Sequence, residues 1–422
     1  MAGKKSPWFW VPTLYLAEGL PYALAMSVSV IFYKNLGVSN RDIAFYTSLL
    51  YLPWVIKPLW SPAVDILKTR RLWIWTLQLF AGAALAGLAL AIPAPHFFQI
   101  TLALFWLVAF ASATHDIAVD GFYLLATTER EQSFFIGFRS ACFNVGKISA
   151  QGGLVILAGE LQRRTGNFAL AWTIVFTLAA GIFLCLGVYH RWVLPRPVID
   201  QPAGEDSCTR FFKDFLVTFS AFFRKPRIIT LLLFLLLYRL GEAQLLKISQ
   251  LFLLDPRAAG GLGLTTTQVG FVYNTAGLIA FIFGALLGGL VVARRGLKAW
   301  LWPMLLAIHL PDAVFIWLAY VQPASVPAIG TGVAVEQFGY GFGFTALMVY
   351  MIYIARGEHP TAHYAICTGF VAAGMMLPGL WSGWLQQQLG YQHFFVWVIL
   401  ATIPSFWVAA RIPLEPEFGK RN

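Results

Sequence analysis

Ala113-Thr114-His115-Asp116-Ile117-Ala118-Val119-Asp120-Gly121 follows the apolar run from Ile100 to Ala111. A charged side chain held inside a membrane span costs about 3 kcal/mol or more, so two carboxylates at helical spacing there mark function. They also oblige the rest of the chain to shelter them. The surrounding composition suits that setting: hydrophobic residues make up 59%, charged residues 12%, and mean hydropathy is +0.69. A soluble domain carries about 25% charged residues, so a soluble fold is excluded.

A chain of 422 residues accommodates about a dozen spans of roughly 20 to 28 residues. Apolar runs between charged or Pro/Gly-marked breaks predict twelve helices. The first six cover Trp8–Tyr33, Asp42–Trp60, Leu72–Ile92, Phe97–Leu125, Phe134–Ala158 and Phe168–Tyr189. The second six cover Ile228–Leu254, Gln268–Ala293, Leu297–Tyr320, Val326–Ile354, Ala362–Leu385 and Phe394–Ala410. The expected fold class is all-α, in two pseudo-symmetric six-helix bundles at 1–190 and 228–422. The connector, 191–227, carries Phe211-Phe212-Lys213-Asp214-Phe215-Leu216, a candidate amphipathic helix for the inner membrane surface.

The basic residues fix the expected orientation. With both termini inside, 20 of the 30 Lys and Arg fall in termini and inner loops, 5 in outer loops and 5 within spans. The positive-inside rule then places the termini in the cytoplasm. The net charge of +11 is thereby explained by topology, and nucleic acid is not an expected partner. The first apolar run is too long for a signal-peptide core and reads as helix one. Cys142, Cys185 and Cys367 lie in spans and Cys208 in the connector, a distribution that predicts no disulfides.

The halves echo each other. Tyr15-Leu16-Ala17-Glu18 in helix one is matched by Tyr238-Arg239-Leu240-Gly241-Glu242 in helix seven, and Arg70-Arg71 before helix three by Arg294-Arg295 before helix nine. Such duplication, joined by an inner loop, is the construction of major facilitator transporters. Trp60-Ser61-Pro62, Asp65 and Arg70-Arg71 resemble a diverged form of that superfamily's loop between helices two and three. Asp65, Arg70 and Arg71 are therefore gating candidates; the alternative is simple positive-inside anchoring.

Eleven charges fall within the expected spans: Glu18, Lys57, Asp116, Asp120, Arg139, Lys147, Arg239, Glu242, Lys247, Asp312 and Glu336. Against lipid they would together cost about 30 kcal/mol, more than the net stability of a typical domain, so they must face one another or water. Asp116 and Asp120 are four apart and lie along one side of a helix, as do Arg239 and Glu242. Two carboxylates so placed do not both ionise easily, so one should exchange a proton, as a proton-coupled carrier requires. Glu18, Glu242 and Glu336 are further candidates. The alternative is permanent pairing with Arg139 or Lys147, holding helices four and five together.

Arg139, Lys147 and Arg239 are candidates for binding an anionic solute, with Arg239 open to neutralisation by Glu242. Tyr22, Tyr123 and Tyr273 are candidates for stacking on a sugar or ring. His359 and His363 have metal-compatible spacing but no third ligand, so no metal or cofactor is expected. Gly339, Gly341 and Gly343 read as close helix packing rather than a nucleotide loop.

Four stretches together resemble a known family: SATHDIAVDGF (Ser112–Phe122), YLPWVIKPLWSP (Tyr51–Pro62), YRLGEA (Tyr238–Ala243) and VEQFGYGFG (Val335–Gly343). They resemble the AmpG-type muropeptide permeases and acetyl-CoA transporters of the major facilitator superfamily; siderophore permeases share the Asp-Ile-Ala-x-Asp core. The resemblance implies proton-driven import across a bacterial inner membrane, by alternating access in a monomer, of a solute such as an anhydro-muropeptide. It implies paired acids at Asp116 and Asp120, a place for Glu242 where the motif commonly has Asp, and a helix-eight Asn at Asn274. His115 replaces the usual Gln, and two further C-terminal helices of longer permeases are missing, which leaves a siderophore or an acyl-CoA-type solute as alternatives. From another class, an intramembrane acyl transferase using His115 beside Asp116 is the competing reading, as is a sensor that binds without transport.

Overall fold

The computed structural model describes residues 6–198, 200–201 and 216–420. Among the described residues the regular structure is helical, without strands. Ten segments are long and apolar enough to cross a membrane by length and composition: Pro7–Asn35, Arg70–Ala91, Phe97–Ala126, Gly137–Thr165, Phe168–Val193, Ile228–Leu254, Thr266–Arg295, Leu297–Val321, Val326–Ala355 and Ala362–Ala409. The last runs for 48 residues and bends at Gly390, whose φ of 69° and ψ of 170° lie outside helical values, so it holds both expected helices eleven and twelve. Expected helix two is present in two pieces, Asn40–Leu49 (α3) and Leu52–Leu67 (α4), interrupted at Leu50-Tyr51. These two differences reconcile ten segments with the twelve helices read from the sequence.

Several spans are broken rather than straight. The first contains α1 (Val11–Ala23) and α2 (Ser29–Asn35) around a π-helical turn, Leu24–Val28, just after Pro21, which lacks an amide proton and loosens the ladder. Two further π segments, Ile148–Leu154 and Val272–Gly277, interrupt the fifth and eighth expected helices. The fifth comprises α7 (Glu129–Lys147) and α8 (Val155–Thr165); α5 (Arg70–Ala91), α6 (Phe97–Ala126) and α9 (Phe168–Val193) complete this half. Thr128 and Glu131 form a capping box that starts α7, and Gly166 at φ 69° ends α8 after Arg163 and Arg164.

In the second half, a short helix covers residues 216–223 (α10). The rest of the expected amphipathic stretch Phe211–Leu216 lies outside the described residues. Helix seven comprises α11 (Ile228–Leu237) and α12 (Leu240–Leu254), with Arg239 between them at φ −115° and ψ 23°. Helix eight comprises α13 (Thr266–Phe271) and α14 (Leu278–Arg295). Helix nine comprises α15 (Leu297–His309) and α16 (Ala313–Val321), separated by a single 3-10 turn, Leu310-Pro311-Asp312. Then come α17 (Val326–Ala355), α18 (Pro360–Leu400) and α19 (Ile403–Ala409).

The chain divides into two compact units, Met1–Leu36 with Ile56–Asp214, and Gly37–Val55 with Phe215–Asn422. Thus α3 packs in the second unit, against α18: a Cβ on Gly383 would strike the Asn40 carbonyl, and one on Gly379 the Ser48 hydroxyl. Asn40 Nδ2 also donates to Asp255 Oδ2 and Tyr391 Oη, each at 2.9 Å. Within the first unit, Gly19 of α1 faces the Phe143 carbonyl of α7 while Gly146 of α7 faces the Leu16 carbonyl of α1. In the second, Gly284 of α14 and Gly341 of α17 do the same against Phe338 and Phe281, whereas Gly339 and Gly343 face Ala307 and Met304 of α15. The glycine run of α17 is thus the close helix packing its spacing predicts. Lipid offers no hydrophobic drive between helices, so this backbone approach is what dispersion forces need. Phe283, Leu286 and Leu290 of α14 point outward, an apolar face suited to hydrocarbon.

Gly341→Val is expected to destabilise the purified protein by about 1–3 kcal/mol through overpacking. Gly289→Val, where a Cβ meets nothing within 4 Å, should change stability by no more than about 0.5 kcal/mol. Thermal unfolding in detergent, followed by tryptophan fluorescence, compares the two.

Candidate functional site

The charges expected inside spans form one network in each unit. In the first, Lys57 of α4 pairs with Asp116 of α6, and Arg139 of α7 pairs with Asp120 of α6. Tyr15 Oη of α1 donates to Asp120 Oδ1 at 3.2 Å. The Arg139 guanidinium carbon lies 4.4 Å from the ring centroids of both Tyr15 and Tyr123, two rings set edge to face at 85°, so the cation meets the electron-rich rings of both. Glu18, one turn along α1 from Tyr15, is buried, and its Oε2 has no hydrogen-bond partner among the described residues.

Asp116 and Asp120 therefore do not confront each other alone. Each is bound by its own base, and this differs from the simple two-acid reading because Lys57, distant in sequence, enters from α4. Asp120 is the more accessible acid, its side chain 52% exposed against 19% for Asp116. Lys147, two turns beyond Arg139 on α7, stands 5.8 Å from the centroid of half-buried Tyr22. The bases of α7 thus meet tyrosines of α1 at two levels. Tyr123 is buried and donates its hydroxyl to the Gln132 carbonyl at 2.8 Å, so its ring is held rigidly beneath Arg139.

In the second unit, Glu242 of α12, Asp312 of the 3-10 turn and Glu336 of α17 each offer a carboxylate oxygen, and these three oxygens lie within 4.8 Å of one another. All three residues are buried. Arg239 does not pair with Glu242: it bonds the Tyr340 hydroxyl, and its guanidinium carbon sits 4.9 Å from the Tyr340 ring and 4.7 Å from that of Phe344. Gln337 Nε2 donates to both Glu336 oxygens, at 3.2 and 3.0 Å, and Ser249 Oγ donates to the Tyr273 hydroxyl at 3.0 Å. Tyr273 and Asn274, both in the π segment of helix eight, are buried. The Tyr273 hydroxyl is thus engaged, and the residue packs beside the acids.

Arg70 and Arg71 occupy the first turn of α5, where their amides bond Asp200 Oδ1 and Oδ2 at 2.8 and 3.1 Å. The Arg71 side chain reaches the carbonyls of Leu194 and Arg191, and Arg70 Nη1 contacts the Gly121 carbonyl at 3.4 Å. The two arginines therefore tie α5 to the end of α9 and to α6. The Asp65 side chain lies outside the described residues. His359 and His363 pack edge to face with centroids 6.0 Å apart, and His363 reaches the Thr218 carbonyl.

Sequence reading left Asp200, Lys57, Asp312 and Lys247 without roles. The last three were visible only as charges in the wrong solvent. Lys247 is buried; its ammonium donates to Thr47 Oγ1 at 3.0 Å and stands 5.7 Å from the Tyr51 ring centroid. His115 is sealed in a buried chain in which Thr13 bonds His190, His190 bonds Gln78, and Gln78 bonds His115 at 2.9 Å. Its ring bonds the Gln78 amide rather than a hydroxyl, and Asp116 is held by Lys57, so the His115–Asp116 pair of the acyl-transfer reading is not formed.

Broken membrane-length helices around buried acids and bases define a multi-pass membrane transporter, not an enzyme. The chain belongs to the Major Facilitator Superfamily, which residues 13–377 match. It is 26% identical to a transporter designated AmpG 4 of Rickettsia conorii over 95% of each chain. It is 24% identical to the anhydromuropeptide permease of Escherichia coli K12, over 93% of this chain and 77% of that protein. Among solved structures, a D-xylose-proton symporter gives a TM-score of 0.70 at 11% identity, covering 98% of both chains. A nucleoside transporter, NupG, carrying one substitution gives 0.69 at 16% identity, covering 96% of this chain and 99% of that one. At those identities the structural likeness carries the fold alone, while the sequence relatives agree with the AmpG-type resemblance.

Gln78→Leu is expected to cost about 1–3 kcal/mol, because it strips the buried His115 and His190 rings of their shared partner. Thermal unfolding should register the loss, whereas Gln78→Glu, which keeps an acceptor for His190, should lose less.

Proposed function

We propose that this protein is a proton-coupled carrier that imports an amphipathic, anionic solute of the anhydro-muropeptide class across a bacterial inner membrane by alternating access. The observation that carries the reading is the Tyr15–Asp120–Arg139 contact, an accessible acid neutralising the base best suited to a solute carboxylate. The name of the Escherichia coli relative supports the solute class. The expected positive-inside charge distribution supports cytoplasmic termini, and the working unit is a monomer.

The coupling step follows from charge balance. A proton taken by Asp120 cancels its charge, the ion pair with Arg139 opens, and the guanidinium becomes available to a solute carboxylate, which accepts its N–H groups in place of Asp120. Asp116 and Lys57, with Glu18 nearby, keep the remainder of the network compensated. Magnitudes allow this exchange. A partly exposed pair is worth on the order of 1–4 kcal/mol. A membrane potential supplies about 2.3 kcal/mol per charge per 100 mV, so the proton gradient is able to drive the exchange in both senses of a cycle. A fully sealed pair would be too strong to serve. Arg70, Arg71 and Asp65 are proposed to clasp helix ends in one conformation, with Lys147 and Tyr22 forming a second level of the solute path.

Proteoliposomes with an imposed pH gradient test the reading. Asp120→Asn and Asp116→Asn should each reduce gradient-driven uptake of an anhydro-muropeptide at least about tenfold while solute exchange without a gradient persists, and Arg139→Ala should abolish both. Uptake indifferent to the gradient and to both Asn substitutions would remove proton coupling; transport unchanged in Arg139→Ala would remove the solute-binding role.

A further inference from the structure

Outside the Asp116/Asp120 network, the densest charge imbalance is the Glu242–Asp312–Glu336 triad. Three carboxylates meet with one oxygen each inside 4.8 Å, and the residues are at most 1% exposed. Both oxygens of Glu242 and both of Asp312 are buried and accept no hydrogen bond from any other group among the described residues; the two carboxyl groups are close enough to bond each other only when one carries a proton. Four bare acceptors in one place are anomalous, since an unmatched buried polar atom costs about 1–3 kcal/mol and a charged one more. Arg239, whose charge is felt by Glu242, bonds Tyr340 and packs on Phe344, and among the described residues no ion pair joins it to any of the three.

We propose that Glu242, Asp312 and Glu336 form a binding site for a small hard metal cation, with the three carboxylates as ligands and Gln337 as the positioning residue that aims Glu336. Three observations fit a metal ion, and the test below separates it from shared protons. First, a hard cation such as Ca2+ bonds oxygen at about 2.3–2.6 Å, so oxygens within 4.8 Å of one another can all reach one ion; Na+ has a similar radius. Second, the surroundings suit anions: Glu242 lies in the first turn of α12, Asp312 immediately precedes α16, and helix N-termini favour negative charge, while Gln337 donates to both Glu336 oxygens. Third, the two residues sit at interruptions within their spans, Glu242 just beyond the break between α11 and α12 and Asp312 in the 3-10 turn between α15 and α16. Non-helical backbone at membrane depth is tolerated where it lines a polar site, and broken helices are how carriers build ion sites.

The site lies wholly within the second unit and shares no residue with the Asp120–Arg139 switch, so it stands or falls separately from the coupling scheme above. Its test needs neither solute nor gradient. Purified protein in detergent, at fixed pH and ionic strength held with choline chloride, is titrated with NaCl, LiCl, CaCl2 or MgCl2 while thermal unfolding is followed; equilibrium binding of radioactive sodium and calcium is measured in parallel. The expected result is a saturable rise in Tm of about 3 °C or more with one of these cations and not with choline, matched by near-stoichiometric binding. Which salt acts separates a monovalent from a divalent ligand. Asp312→Asn and Glu336→Gln should each weaken the response at least about tenfold, and Gln337→Leu should weaken it less, whereas Asp116→Asn should leave it intact. Absence of both binding and stabilisation in the unsubstituted protein overturns the proposal, whatever the variants do. So does a response that survives unchanged in Asp312→Asn and Glu336→Gln, or stability that follows pH alone.

Discussion

The structure depends on one constraint: a charge carried into a low-dielectric span must find its compensation within the protein. The first unit meets it by balance, Glu18, Asp116 and Asp120 against Lys57, Arg139 and Lys147, with tyrosine hydroxyls and rings completing the shell. The second gathers three acids in one place, while its two in-span bases bond neutral groups, Arg239 the Tyr340 hydroxyl and Lys247 the Thr47 hydroxyl. The contrast is chemical. A balanced network can trade one partner for another at small cost, whereas an unbalanced one holds an attraction for positive charge that its own side chains leave unmet.

Backbone irregularity places two of these charges, Arg239 and Asp312, while the others project from regular helix. A straight helix spends its amide and carbonyl groups on itself and offers only side chains. Where the ladder opens, at Leu24–Val28, Tyr238–Arg239, Val272–Gly277 and Leu310–Asp312, residues take positions that regular helical spacing would not give them. Such openings are affordable because the flanking helices are clamped elsewhere. The reciprocal glycines of α1 with α7, and of α14 with α17, bring backbones into contact beside the polar side chains and hold those helices in place.

The superfamily assignment and the charge networks answer different questions. Fold likeness extends to carriers of sugars and nucleosides at 11–16% identity, so architecture is indifferent to cargo. What separates one carrier from another is the small set of polar side chains it holds in place. Here these include an arginine against two tyrosine rings, a buried lysine bonded to a threonine hydroxyl, and an acidic triad.

The spans, their approximate ends, the glycine packing of α17 and the identity of every in-span charge were legible in the sequence, because hydropathy and helical spacing act over a few turns of one segment. Asp116 and Asp120 announced themselves through cost alone. Their partners did not. That Lys57 rather than Arg139 or Lys147 pairs with Asp116, that Arg239 leaves Glu242 for Tyr340, and that Asp312 joins Glu242 and Glu336 are choices between residues far apart in the chain. The break inside helix two, and the packing of α3 in the second unit, are equally non-local. The sequence by itself determined which residues must escape lipid, since that penalty belongs to each side chain alone. Only the tertiary structure decided with whom they escape, since pairing energy depends on distances that no local pattern encodes.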